Sequence, residues 1–349
     1  MSPRDGTVVR ALETLTVDAA DPSAVLEPLR QRVLGTMGTL YDPRLTAWAE
    51  TALRPPSYAA YQELAAGVEH HAVPRNLSAA AARFQRAMEL DPDYLLAPLW
   101  LAWSRLMADD YAGADSTIAA LASHREEMAR AERAWHDRIA ALLDGDSEAS
   151  YQAARRLVEF APRSGWAIAL ANAALATNRP EVAIETVLAT GVDNVGLERE
   201  QTWIVLTAAY HRLGDYSKEL ATAEEAIRSD ELGRWGEAEL VLQIVDSDPS
   251  GFRVRALTAL LAARQGDPTT ARQIADSLAA IDRPYLFGEP TFWRARIAAV
   301  LGDDEGALDL LHQSLREGRE GEGWHQLHVA RDFDGLLGQE GFQELLRPR

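Results

Sequence analysis

Histidine, aspartate and glutamate are the side chains whose spacing here could support chemistry, and none of them completes a site. His325-x-x-His328 can set two imidazoles on one helix face, the geometry of a metal-ligand pair, but no third ligand follows at a useful spacing. The tandem His70-His71 sends its rings to different faces of a helix, which reads as an exposed helix end. The acidic groups Asp144, Asp146, Glu148 and Asp303, Asp304, Glu305 lack the glycine and closing glutamate of a calcium loop. They stand where turns and helix N-termini favour acid. Carboxylate pairs for glycoside chemistry are not distinguishable among 53 acidic residues. Cysteine is absent, which removes disulfides, thiolate metal sites and a cysteine nucleophile while leaving the redox compartment open. The reading is therefore a chain that is not an enzyme, with no catalytic residue, no cofactor and no metal, whose work is binding.

Charge and hydropathy narrow what it binds. Thirty-five Lys and Arg against 53 Asp and Glu leave a net charge of −18, which repels a phosphate backbone, and no basic face interrupts it. Nucleic acid is excluded on that ground, and the excess acid reads as a solvated surface. The first ten residues lack the apolar core of a secretion signal, and nowhere do 18 apolar residues run together. A cytoplasmic chain with no membrane partner is the expectation.

Four regions follow from the pattern. Residues 1–20 carry an alternating stretch, Thr7 to Val17, which reads as a short extended piece left from a missing domain. Residues 21–54 hold a helical segment, with Val25, Leu26, Leu29, Val33, Leu34 and Met37 at helical spacing up to the stop at Asp42-Pro43. They then pass into a Leu53-Arg54-Pro55-Pro56-Ser57 linker. Residues 55–320 form a repeat array with an irregular joint near 230–250, where a full first helix does not fit. Residues 321–349 supply capping helices, with Phe333, Leu336, Phe342, Leu345 and Leu346 covering the last unit.

Within the array one grammar recurs: an apolar helix, a tight turn of Gly or Asn plus a polar residue, then a second helix with a small residue about four positions on. The unit is about 34 residues long, the tetratricopeptide length. The fullest copy runs Trp203-x-x-Leu206-Thr207-x-x-Tyr210-x-x-x-Gly214-Asp215-Tyr216. Others turn at Asp110-Tyr111, Gly145-Asp146, Asn178-Arg179-Pro180, Gly266-Asp267-Pro268 and Gly302-Asp303. An all-α, right-handed tetratricopeptide-repeat superhelix of six to seven units is the expected fold.

Several stretches resemble the tetratricopeptide C-terminal regions of multidomain bacterial signalling proteins, whose N-terminal parts are serine/threonine kinases, adenylate cyclases or DNA-binding regulators. The residues that carry the likeness are Pro284 to Glu289, Trp293 to Asp303, Ala307-Leu308-x-Leu310-Leu311, and the terminal Asp332-Phe333-Asp334-x-Leu336 with Phe342-x-x-Leu345-Leu346-Arg347-Pro348. Pro55 to Tyr61 with Phe84-x-x-Ala87-x-x-Leu90-Asp91-Pro92 is similar to that family's first repeat. Kinase and cyclase signatures are missing: no glycine-rich phosphate loop, no His-Arg-Asp or Asp-Phe-Gly triplet, no basic recognition helix. The resemblance implies a sensory or scaffolding region without its effector.

In such arrays the first helix of each unit lines the concave groove. The phase assigns Leu99, Trp103 and Leu106, then Trp135 and Ile139, Ile168 and Asn172, Ile204, Ala208 and His211, and finally Phe292 and Arg296 to that groove. The competing reading places Trp103 and Trp135 in the core. The leading functional expectation is a scaffold binding a protein or peptide in the groove. Alternatives are a regulatory region controlling a kinase or transcription factor, and an enzyme built on the solenoid frame. Self-association is a further expected partner mode, because solenoid ends expose apolar edges.

Overall fold

The computed structural model describes residues 12, 14–16, 18, 20–42, 45, 48, 55–72, 76–162, 164–190, 199–228, 252–319, 327–328 and 330–348. Among the described residues there are sixteen α-helices and no strand. They are α1 (Leu26–Tyr41), α2 (Tyr58–Ala72), α3 (Leu77–Leu90), α4 (Leu96–Met107), α5 (Tyr111–Leu121), α6 (Arg130–Leu143), α7 (Ser147–Phe160) and α8 (Trp166–Ala176). There follow α9 (Pro180–Thr190), α10 (Arg199–Arg212), α11 (Tyr216–Arg228), α12 (Phe252–Arg264), α13 (Pro268–Ala279), α14 (Glu289–Val300), α15 (Asp304–Ser314) and α16 (Glu340–Leu346). The expected extended segment and the expected joint near 230–250 lie largely or wholly outside the described residues.

Among the described residues, six hairpin turns are built from one piece of backbone chemistry. Asp109, Gly145, Asn178, Gly214, Gly266 and Gly302 all take a left-handed conformation, with φ between 56° and 81°. They recur 33 to 36 residues apart, except for one interval of 52 between Gly214 and Gly266. At each, the left-handed residue donates its N–H to the carbonyl three back, and the next residue donates to the carbonyl five back. At the last turn these are Gly302 to Ala299 and Asp303 to Ala298, both 3.0 Å. Paired bonds of this kind satisfy carbonyls that a helix end otherwise leaves bare.

The residue that ends one helix also starts the next. The carboxylates of Asp110, Asp146, Asp215, Asp267 and Asp303 each accept from the backbone N–H three residues on, at 2.8–3.2 Å. At the remaining turn Pro180 opens α9, where its missing N–H costs nothing. Four residues after the cap, Ala114, Ser150, Ala183, Ala271 and Ala307 are buried, small enough to let the two helices of a hairpin approach closely. Gly67 serves the same end in α2: a Cβ there would stand 2.4 Å from the Phe84 ring of α3.

This geometry sets an expected result. Gly302→Ala puts a side chain into left-handed backbone with open space around it, so the strain is purely conformational and costs about 1 kcal/mol. Asp303→Ala removes the cap and costs about 1 kcal/mol. Denaturant titration measures both; an unchanged midpoint for Gly302→Ala would mean the turn does not constrain the fold.

The chain divides into two compact units, one of residues 1–140 with 159–161, the other of residues 141–158 with 162–349. In the first, α1 to α5 each pack on the next, and α2 also touches α4. In the second, α8 to α11 and α12 to α15 pack consecutively, with α8 on α10 and α12 on α14. First helices therefore meet their counterparts one hairpin away. The core runs along these contacts: Ile168, Ala171, Leu175, Ala183, Val187, Val205 and Ala209 form one cluster, and Phe252, Ala256, Leu260, Trp293 and Ile297 another.

Candidate binding surface

The residues assigned to the groove divide by accessibility. Leu99, Leu106, Trp135, Ile139, Ile168 and Phe292 are buried. For these the groove assignment is corrected: the side chains pack inside the protein, Ile168 in the core between consecutive hairpins and Trp135 and Phe292 against segments outside the repeats.

In the first unit the cover comes from before the repeats. Trp48 and Leu45, both buried, belong to the segment that follows α1. The Trp48 ring lies 4.7 Å from that of Trp135, and Trp100 meets Trp135 edge-on at 5.1 Å. Phe84 continues the stack, 5.8 Å from Trp100. Trp103 is half-buried, with the Arg138 guanidinium 5.0 Å above its ring.

In the second unit the cover comes from after the repeats. Phe333, in the 3-10 turn Arg331–Leu336, packs edge-on against Phe292 at 5.8 Å and touches Phe342 of α16. Beside it the buried Asp332 carboxylate accepts from Arg296 Nε at 2.7 Å and from Arg264. Arg296, assigned to a partner, thus holds the chain's own C-terminal segment. The same segment reaches the hairpin turns of this unit: the Asn178 side-chain amide donates to the Arg347 carbonyl at 2.6 Å. Leu327, Phe333, Leu336, Phe342 and Leu345 share one core with Phe292, Ala307 and Leu311.

Six assigned residues are not fully buried: Trp103 and Arg296, engaged as above, and four on α8 and α10. Asn172 is exposed, Ile204 is 50% exposed, and Ala208 and His211 are half-buried. His211 Nδ1 lies 3.0 Å from Glu219 Oε1 of α11, and its ring stands edge-on to Tyr216. Next to it Arg212 is buried and donates to the Leu175 carbonyl at the end of α8. Burial pulls its guanidinium down to about 10, so it stays charged at neutral pH and complements the negative end of that helix. Ile204, Ala208 and His211 follow one another at four- and three-residue steps along one side of α10, and α8, which carries Asn172, packs against that helix.

Buried ionisable groups elsewhere act on stability. Glu132 in α6 accepts from the Ala129 N–H at 2.7 Å, the glutamate half of a capping box, and burial pushes its carboxyl above the ordinary range while that hydrogen bond opposes the shift. A raised carboxyl stabilises the fold while protonated, and that contribution fades as pH rises through the folded value. Glu132→Gln keeps the cap and removes the buried charge. It should therefore be more stable than wild type at neutral pH, with the two converging in acid; thermal melts across pH 4 to 8 check this, and a constant difference would refute it.

Among the described residues no group of three or more His, Cys, Asp or Glu is placed to hold a metal ion. His328 is described and His325 is not. No described helix is long and apolar enough to cross a membrane. Fold and surface together define the class: an all-helical chain of consecutively packed hairpins. No protein-family model and no curated protein matches the chain.

Sequence reasoning placed the C-terminal cover, whose Phe333, Leu336, Phe342 and Leu345 pack on the last unit as expected, but missed the one before the repeats. Trp48 follows a proline stop and gave no sign of returning to the repeats. At the C-terminal cover the apolar residues were expected, and the ion cluster of Asp332 with Arg264 and Arg296 was not.

Proposed function

We propose that this chain is a tetratricopeptide-type scaffold, a right-handed superhelix that recognises a protein or peptide partner along the first-helix face and carries no chemistry of its own. The observation that supports this reading is the accessibility of α8 and α10, where Ile204 is 50% exposed and the polar Asn172 and His211 also reach solvent. An apolar anchor with a polar surround is the composition of a recognition patch. The repeated turn supports the architecture, because identical hairpins at near-constant spacing stack into a solenoid. The partner contacts Ile204, Ala208, Asn172 and His211, and the covered positions from Leu99 to Phe292 hold the scaffold in shape.

A photo-crosslinking residue placed at Ile204 tests this, with Leu188 of α9, 57% exposed, as the control position. A discrete adduct from 204 that is absent from 188, and lost when His211→Ala and Asn172→Ala are added to a chain that melts like wild type, is the expected result. Equal labelling at both positions, or none at 204, would defeat the assignment.

A further inference from the structure

The helix α1 is inside out. Leu26, Leu29, Val33, Met37 and Tyr41 follow one another at three- and four-residue steps along one face and are 64%, 41%, 37%, 51% and 75% exposed. The opposite, buried face carries Gly35, Thr36 and Thr39. Its threonine hydroxyls donate to the Arg32 and Gly35 carbonyls of the helix itself, at 2.7 and 2.9 Å. The helix cannot roll over to hide its apolar side. A Cβ at Gly35 would stand 2.0 Å from the Pro56 carbonyl oxygen, and one at Gly38 would stand 2.5 Å from the Tyr61 ring. Only glycine fits this contact, so the contact fixes which way the leucines point.

We infer that this stripe is the interface through which two copies of the chain associate, α1 antiparallel to α1 about Val33. Three observations select a second copy as the occupant. The first is symmetry. A two-fold contact needs a self-complementary patch, and the stripe is nearly palindromic, with apolar residues at −7, −4, +4 and +8 relative to Val33. Antiparallel pairing sets Leu29 beside Met37 and Leu26 beside Tyr41. The second is charge. The Arg30 guanidinium is already engaged by Glu27 through two 2.7 Å bonds, and Arg32 by the Pro55 carbonyl and Asp91. Facing helices therefore bring no unpaired like charges together. The third is area. Five such side chains make an apolar patch on the order of 500 Å², the size of the largest and often functional patch on a monomer. Two facing patches bury on the order of 1,000 Å², the threshold for specific association. The inference is independent of the face on α8 and α10.

The dimer forms against a net charge of −18 per copy, so salt, which screens that repulsion, should strengthen it. Sedimentation velocity on the full chain should show the mass rising from 38.3 kDa toward twice that value with concentration, and further at high salt. Met37→Glu should hold the chain monomeric, and Leu188→Glu, on another exposed face, should leave association unchanged. Because the chain has no cysteine, Val33→Cys carries a single thiol at the two-fold axis and should form a disulfide-linked dimer under mild oxidation, whereas Leu188→Cys should not. A monomer at every concentration, a dimer that survives Met37→Glu or dissolves in salt, or a Val33→Cys thiol that neither cross-links nor reacts with reagent would each overturn the proposal. The last would mean that other residues of the same chain cover the stripe.

Discussion

Trp135→Ala should lower the unfolding free energy by about 3–5 kcal/mol, the cost of emptying a large aromatic from a filled core. Trp135 is 2% exposed, held between Trp48 at 4.7 Å and Trp100 at 5.1 Å, and both neighbours lose a ring contact with it. Such a loss is a large share of the stability of a domain. The near-ultraviolet circular dichroism of the coupled rings should fall, and the transition of the first unit should move to lower denaturant. Trp103→Ala makes a sharp comparison. Its ring is half-buried and has the Arg138 guanidinium above it, so removing it should cost only about 1 kcal/mol. If Trp135→Ala melted like wild type, the stacked rings would not be core, and the face they cover would be open.

Asp332→Ala should release the C-terminal segment, at a cost of about 2–3 kcal/mol. Breaking a buried ion pair costs about 3–5 kcal/mol because one charge is left uncompensated, and the lower figure allows for the exposure of Arg264 to water. Asp332 has 1% of its side chain exposed, against 19% for Arg296 and 55% for Arg264. The asymmetry matters, since Arg296 loses its partner where solvent barely reaches it. Hydrogen exchange should show reduced protection across residues 331–346, together with the ends of α12 and α14 that the segment covers. Arg264→Ala should cost less than about 1 kcal/mol, because the carboxylate keeps Arg296 and the removed group was half in water. Equal losses for Asp332→Ala and Arg264→Ala would mean that the clamp does not hold the segment.

The hairpins were legible in the chain because their determinants are local. A left-handed position with Gly or Asn, an Asp beside it as cap, and an alanine four residues later all lie within one turn of helix, and each acts through bonds to its own backbone neighbours. Even the turn at Asp109, which has no glycine, was found from its neighbours Asp110 and Ala114, since they impose the same bonds.

Which apolar face is covered was legible only at the C-terminal end, where the apolar residues from Phe333 to Leu346 mark a cap. Helical spacing marks Leu99, Trp135, Ile168 and Phe292 as apolar positions of their own helices, but a periodic stripe reads the same whether it meets a partner or its own chain. The cover on Trp135 is Trp48, 87 residues earlier in the sequence, and the cover on Phe292 is Phe333, 41 residues later. Neither pair is joined by any repeating distance.

The amino-acid sequence by itself determined the helices, their order and the hairpin turns, because capping, left-handed backbone and small-residue contacts act over a few residues. Only the tertiary structure decided which faces are open to solvent. That choice depends on contacts between residues far apart in the chain, such as Asp332 with Arg264 and Arg296, or the Gly35 contact that turns the leucines of α1 outward.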